Sequence, residues 1–164
     1  MKPRTKLSLG AIFTNDAPKE VIKEVPYDLN TNKKYFLFDI IPMGAVRMTQ
    51  SDRWKTNPEH ENILKRQRAE VTRYFQFKKD VRDQARDLGF ELGSVIDIVF
   101  CVPMPMSWSA KKREEHNKMP CKVRPDLDNY IKAFMDALLV EDGHVWKVTS
   151  EKRYAYVGSI IVYQ

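Results

Sequence analysis

Between residues 126 and 142 the chain carries Asp126, Asp128, Lys132, Asp136, Glu141 and Asp142, a grouping able to do chemistry. Asp126 and Asp128 stand two apart on an approach fixed by Pro125, so they straddle the start of the helix that follows. Asp128, Lys132 and Asp136 recur every four residues and form one stripe along that helix. Glu141 and Asp142 arrive beyond it, with Gly143 in a tight turn. Each has a plain structural reading. Acids at a helix start act as caps worth about 0.5–2 kcal/mol, an Asp–Lys pair four apart is a helix salt bridge, and Asp-Gly is a common turn. The charge pattern asks for more. Residues 101–125 balance at +4, whereas residues 126–142 balance at −4. Carboxylates beside a basic, phosphate-seeking segment would repel the phosphates it attracts. A hard divalent cation resolves the conflict: Mg²⁺ takes oxygen ligands at about 2.0–2.1 Å and can join carboxylates to phosphate. An acid cluster in a basic frame is what a metal-dependent nuclease needs.

The elements that must position these groups can be read from periodicity. Residues 129–139 form a helix whose Ile131, Phe134, Met135, Leu138 and Leu139 make a core-facing stripe, which puts the charged stripe at the border of the buried face. YFLFDII (35–41) and SVIDIVFCV (94–102) read as buried strands. Two further strands follow, roughly His144 to Tyr154 and Ser159 to Tyr163. Asn57-Pro58-Glu59 is a helix start signal. Tyr74, Phe77, Val81, Ala85 and Leu88 continue that region as one apolar face, stopped by Gly89. The predicted order β, α, β, α, β, β implies an α/β or α+β fold with a mixed sheet flanked by helices, in a single domain over 34–164. Residues 1–33 read as an extension, in which LSLGAIF could add an edge strand.

Composition closes off other classes. The chain has 164 residues, 43% hydrophobic and 30% charged, which suits a globular domain with its own core. A net charge of +6 fits an anionic partner, nucleic acid first. Cys101 and Cys121 are too few for a disulfide framework and read as reduced strand and loop cysteines. No apolar run reaches the roughly 18 residues of a membrane span, and no signal peptide is evident, so a cytoplasmic protein is expected. His60, His116 and His144 lack the framing of a paired metal site and read as surface residues.

Lys122-Val123-Arg124-Pro125-Asp126-Leu127-Asp128-Asn129, then Lys132, Asp136-Ala137-Leu138, Glu141-Asp142 and Lys152-Arg153-Tyr154, together resemble the RusA family of Holliday junction resolvases. That family's signature is a PDxDN-xx-K helix, a D-A-L, an acidic pair and a downstream K-x-Y. The loop Pro105-Met106-Ser107-Trp108-Ser109 and the basic run after it also resemble its phage-type members. The likeness covers roughly residues 35–164. It implies a RusA-like fold and a small homodimeric endonuclease that cuts four-way DNA junctions with Mg²⁺ or Mn²⁺, in a bacterial or phage-infected cell. By position, Asp126, Asp128 and Asp142 match the family's metal-binding carboxylates, and Lys132 its essential lysine. The acidic pair is Glu-Asp rather than the frequent Asp-Asp, which leaves Glu141 without an assigned role.

On this reading the metal polarises the scissile phosphate and Lys132 stabilises the charge that develops there. Asp136 either orients Lys132 or only ends the stripe. Arg47, Lys111, Lys112, Arg113 and Lys152 are candidates for phosphate contacts, whereas Trp108 is expected to pack against its own loop. Three other readings stay open from the residues alone: a nuclease for flaps or other branched DNA, a non-catalytic DNA-binding module, and an RNA-binding protein.

Overall fold

The computed structural model describes residues 34–55 and 68–164. Its elements are β1 (Tyr35–Phe38), α1 (Gln50–Lys55), α2 (Ala69–Leu88), β2 (Val95–Pro103), α3 (Ala110–His116), α4 (Leu127–Leu138), β3 (Lys147–Ala155) and β4 (Ser159–Tyr163). The strands form one mixed sheet in the order β1-β4-β2-β3, in which β2 and β3 run parallel and the other neighbours antiparallel. The expected single-domain α+β architecture is therefore present. The suggested strand LSLGAIF, the helix start at Asn57-Pro58-Glu59 and His60 lie outside the described residues.

The central strands are apolar on both faces. Ile98, Phe100, Ile160 and Val162 face the helices, while Val99, Cys101, Ile161 and Tyr163 point the other way and are equally buried. Such strands read as continuous hydrophobic runs rather than alternating ones. Against the first face pack α2 and α4, with Phe38 edge-on to both Phe90 and Phe134 at ring-centroid distances of 5.3 and 5.2 Å.

Three expectations need correction. First, β1 stops at Phe38 rather than running to Ile41, because its partner β4 begins at Ser159 and register pairs Phe38 with Ile160; Ile41 is 63% exposed. Second, the apolar face of α2 is Val71, Tyr74, Phe77, Val81 and Ala85, without Leu88, which is 41% exposed. Gly89 takes the left-handed conformation there (φ 60°), its N–H donating to Arg86 and that of Phe90 to Ala85, so the chain turns and Phe90 enters the core in place of Leu88. Third, the buried face of α4 is Tyr130, Ala133, Phe134 and Ala137, while Ile131, Met135 and Leu138 only flank it. The two alanines let the helix approach the sheet closely, and Tyr130 stacks on Phe100 at 5.4 Å. This rotation turns Asp136 towards α2.

The outer edge of β3 is partly covered. Residues 118–121 run along it: Cys121 N–H donates to Lys152, Lys118 N–H to Tyr154, and Tyr154 N–H back to Met119, at 2.9–3.0 Å. An edge occupied in this way is closed to stray strand pairing. It also ties the chain just ahead of α4 to the sheet.

Candidate active site at the start of helix α4

Asp126 is the N-cap residue of α4, with extended backbone (ψ 155°), yet its carboxylate makes no capping hydrogen bond. Asp128 follows in the first turn, and both side chains are exposed. The helix dipole favours negative charge at this end. So the capping role open to Asp126 in the sequence is not taken up, and its oxygens are uncommitted among the described residues.

The approach to Asp126 is firmly held. The Lys152 ammonium donates to the carbonyls of Val123 at 2.5 Å and Pro125 at 2.6 Å, and lies 5.7 Å from the centroid of the Tyr130 ring. The Arg124–Pro125 peptide is cis. On the other side, Ala45 N–H donates to the Asn129 carbonyl at 2.9 Å. Gly44 is required for this approach: a Cβ on it would stand 2.7 Å from Pro125 Cβ and 2.9 Å from its Cγ.

One turn along the helix, Lys132 Nζ lies 3.3 Å from Asp136 Oδ1. The other oxygen of Asp136 accepts a 2.9 Å hydrogen bond from the Tyr74 hydroxyl on α2. Burial, reinforced by this carboxylate, pushes the Tyr74 phenol well above its ordinary range, so it keeps its proton and acts as a donor. Asp136 thus stands between Lys132 and Tyr74, bonded to one through each oxygen. Tyr74 looked like one more core residue in an apolar stripe. The only available signal was that a buried tyrosine hydroxyl needs a polar partner.

A second anchor fixes the segment that carries Arg47. Asp52, only 2% exposed, accepts from Arg68 Nη2 at 2.6 Å, from Thr49 N–H at 2.9 Å and from Thr49 Oγ1 at 2.8 Å. These bonds, the arginine's first, hold the Asp52 carboxyl far below the usual carboxylate range. Arg68 also donates to the Arg47 carbonyl at 3.2 Å. Two adjoining clefts open beside this segment, of about 460 and 390 Å³, sharing Ala45, Val46, Arg47 and Asn129. Pro125 and Arg68 line the first; Lys78, Lys132 and Asp136 line the second.

The remaining expected residues are placed less centrally. Glu141 and Asp142 are exposed in the turn after α4, where Val145 N–H donates to the Asp142 carbonyl at 2.9 Å. Among the described residues no three His, Cys, Asp or Glu side chains are grouped to hold a metal ion, so Asp142 is not gathered with Asp126 and Asp128 into one cluster. The donor chemistry of those two nevertheless suits a hard cation. Mg²⁺ usually takes only one or two protein carboxylates, the rest of its shell being water and substrate phosphate. Lys111, Lys112 and Arg113 lie on α3, whose first turn is capped by Ser109 accepting from Lys112 N–H at 3.3 Å. Lys112 sits over the Trp108 ring at 4.3 Å. Trp108 packs against its own loop as expected, 4.9 Å from the His116 ring and 5.3 Å from Tyr154. His116 is half-buried at the surface, with its Nδ1 2.8 Å from the Lys112 carbonyl. Cys101 and Cys121 are free and buried.

A family model described as endodeoxyribonuclease RusA matches residues 42–155, a span that includes Arg47, all the carboxylates above, Lys132 and Lys152. No curated protein and no solved structure matches the chain.

Proposed function

The chain belongs to the RusA endodeoxyribonuclease family, and from that membership we propose that it resolves four-way DNA junctions by paired, symmetric, metal-dependent phosphodiester hydrolysis. The observation that carries this reading is the uncommitted Asp126 carboxylate, beside Asp128, on a helix start held from both sides. Asp126 and Asp128 would hold Mg²⁺ or Mn²⁺, with Asp142, from the turn after α4, as a further carboxylate. The ion would supply charge neutralisation at the scissile phosphate. Lys132, steered by Asp136 and Tyr74, stabilises the negative charge that grows on the phosphate oxygens as the reaction proceeds. Water oxygen bonds to phosphorus, the P–O3′ bond breaks, the water gives up a proton to solvent and the departing 3′ oxygen gains one. The products are 5′-phosphate and 3′-hydroxyl ends.

Two incisions related by symmetry need two sites, and a two-fold homodimer presents them to a nearly two-fold junction. Arg47, Lys111, Lys112 and Arg113 contact backbone phosphates; Lys152 has one ammonium N–H left for the same purpose after its two carbonyl bonds. Among the described residues no helix is long and apolar enough to cross a membrane, and the proposed place of action is the cytoplasm. The test is nicking of a synthetic four-way junction, with and without Mg²⁺, compared with flaps, forks and linear duplex. Symmetric paired cuts in Mg²⁺ that disappear in the Asp128→Asn protein support the reading. Cutting that survives Asp128→Asn would show that the carboxylates are structural.

A further inference from the structure

The 390 Å³ cleft between the Ala45–Met48 segment, α2 and α4 has a use of its own. We propose that it is a subsite for one non-scissile backbone phosphate of the DNA, held by Arg47 and Lys78. This rests on the endonuclease reading, because it assigns Lys132, on the same wall, to the phosphate being cut.

Arg47, Lys78 and Lys132 all line the cleft, and the acid among its lining residues is Asp136. Both oxygens of Asp136 are occupied, one by the Tyr74 hydroxyl and one by Lys132. Among the described residues Arg47 and Lys78 take part in no ion pair, so the described lining carries more positive than negative charge. Lys78 is half-buried, with its ammonium 5.7 Å from the centroid of the Tyr74 ring, so it lies over the cleft wall instead of extending into solvent. The Arg47 backbone is pinned by Arg68, which in turn is bound to buried Asp52, so the guanidinium is carried on a fixed segment. The volume falls in the range of about 300–1,000 Å³ typical of ligand sites, enough for a sugar-phosphate unit.

The direction of the groove fits a strand passing the carboxylates. The adjoining cleft extends the same trough past Asn129 to Pro125, next to Asp126. Lys132 lines the same cleft as Arg47 and Lys78, so the subsite phosphate belongs to the strand being cut, near the scissile linkage. In the sequence Lys78 is one of several basic residues between the apolar positions of α2, with Arg73, Lys79, Arg82 and Arg86, for which a solvated face is the favoured reading over DNA contact. Its place on the wall that also holds Lys132 comes from the packing of α2 beside α4.

The test is a binding cycle on the full chain in EDTA, with four-way junctions carrying one neutral methylphosphonate linkage moved stepwise along the strand. Lys78→Gln and Arg47→Gln are each expected to weaken binding about fivefold to tenfold and to lower the salt slope by about one. At a single linkage, the methylphosphonate should weaken wild-type binding by a similar factor while weakening Lys78→Gln no further. Wild-type affinity and salt slope in Lys78→Gln would overturn the subsite, as would penalties that simply add at every linkage. Cleavage by the wild type in Mg²⁺ is measured alongside. A positive cycle without cleavage keeps the subsite and removes the endonuclease reading; cleavage with a negative cycle does the reverse; absence of DNA binding removes both.

Discussion

Carboxylates stand at both ends of α4, in opposite circumstances. Ahead of Asp126 the chain is bonded to the β3 edge through residues 118–121, gripped by Lys152 at two carbonyls and met on its other side by Gly44 and Ala45. Beyond the helix, Val140 is fully exposed, Glu141 and Asp142 are exposed, and the turn is closed by the Val145 N–H bond to the Asp142 carbonyl. The first arrangement holds the backbone that carries its carboxylates before any ligand arrives, which under the proposed function is a way for electrostatic groups to become effective. The second leaves placement of its carboxylates to the ligand. Under the proposed function, the start of α4 sets the geometry of the metal site and the far turn completes it.

The largest expected effect follows directly. Asp126→Asn or Asp128→Asn should reduce junction cleavage by about 10³-fold or more, the scale seen when an essential electrostatic group is lost. Junction binding in EDTA should persist, and stability should change by no more than about 0.5 kcal/mol, since these are exposed side chains. Asp142→Asn should be rescued in part by raising Mg²⁺, whereas the other two should not. Equal, Mg²⁺-insensitive losses in all three would erase the contrast between the two ends.

Much of the arrangement at the start of α4 was legible because it is local. Asp126, Asp128, Lys132 and Asp136 are spaced by one helix, and a helix start after Pro125 could be read without knowing the fold. The buried strands 94–102 and 159–163 were legible for a related reason, since both of their faces are apolar. What escaped depends on contacts between distant segments. Tyr74 reaches Asp136 across 62 positions, and Lys152 reaches Val123 and Pro125 across 29 and 27. The sequence supplied Lys152 as a basic residue near a motif, which suggested phosphate. The parallel pairing of β3 with β2 is what aims it at the carboxylate loop. Nor could spacing reveal the rotation of α4, which turns on two small alanines rather than on the large aliphatics that dominate a hydrophobic stripe.

Loosening the firm end gives the next effect in size. Lys152→Gln removes the cation from two carbonyls, and hydrogen bonds to charged groups contribute about 1.5–3 kcal/mol. The expected result is a loss of stability of that order and a drop in cleavage of about 10- to 100-fold, the scale of a misplaced catalytic group. Lys152→Arg should recover part of both. The informative readout is the Mg²⁺ concentration at half-maximal rate, which should rise in Lys152→Gln if the clamp orients Asp126. An unchanged Mg²⁺ dependence with lower stability would reduce Lys152 to a structural residue.

Tyr74→Phe tests the same end through its lysine. The substitution keeps the ring in the core and removes only the hydroxyl bonded to Asp136, so a stability loss of about 0.5–1.5 kcal/mol is expected. Lys132 remains paired but Asp136 is less constrained, and cleavage should fall only about threefold to tenfold, which corresponds to that same energy range. A loss as large as that of Asp126→Asn would place Tyr74 in direct contact with the substrate.

The smallest effect, absent at neutral pH, concerns Tyr130 beneath the clamp. Its ring is 3% exposed and stacked on Phe100, and burial pushes its phenol up to about 12. In the unfolded chain the same group titrates near 10. Below about pH 10 both states hold the proton, and the contribution to stability is complete. Between about 10 and 12 the unfolded chain has released a proton that the folded chain retains, so unfolding is favoured as pH rises and the contribution is gone above that window. Tyr130→Phe should therefore match the wild type in thermal midpoint at pH 8 and show a shallower decline from pH 10 to 11.5. Parallel declines would mean that Tyr130 does not couple alkaline titration to the firm end of α4, and that buried groups elsewhere, such as Cys101 on the other face of the sheet with its thiol raised to about 11, set the alkaline limit instead.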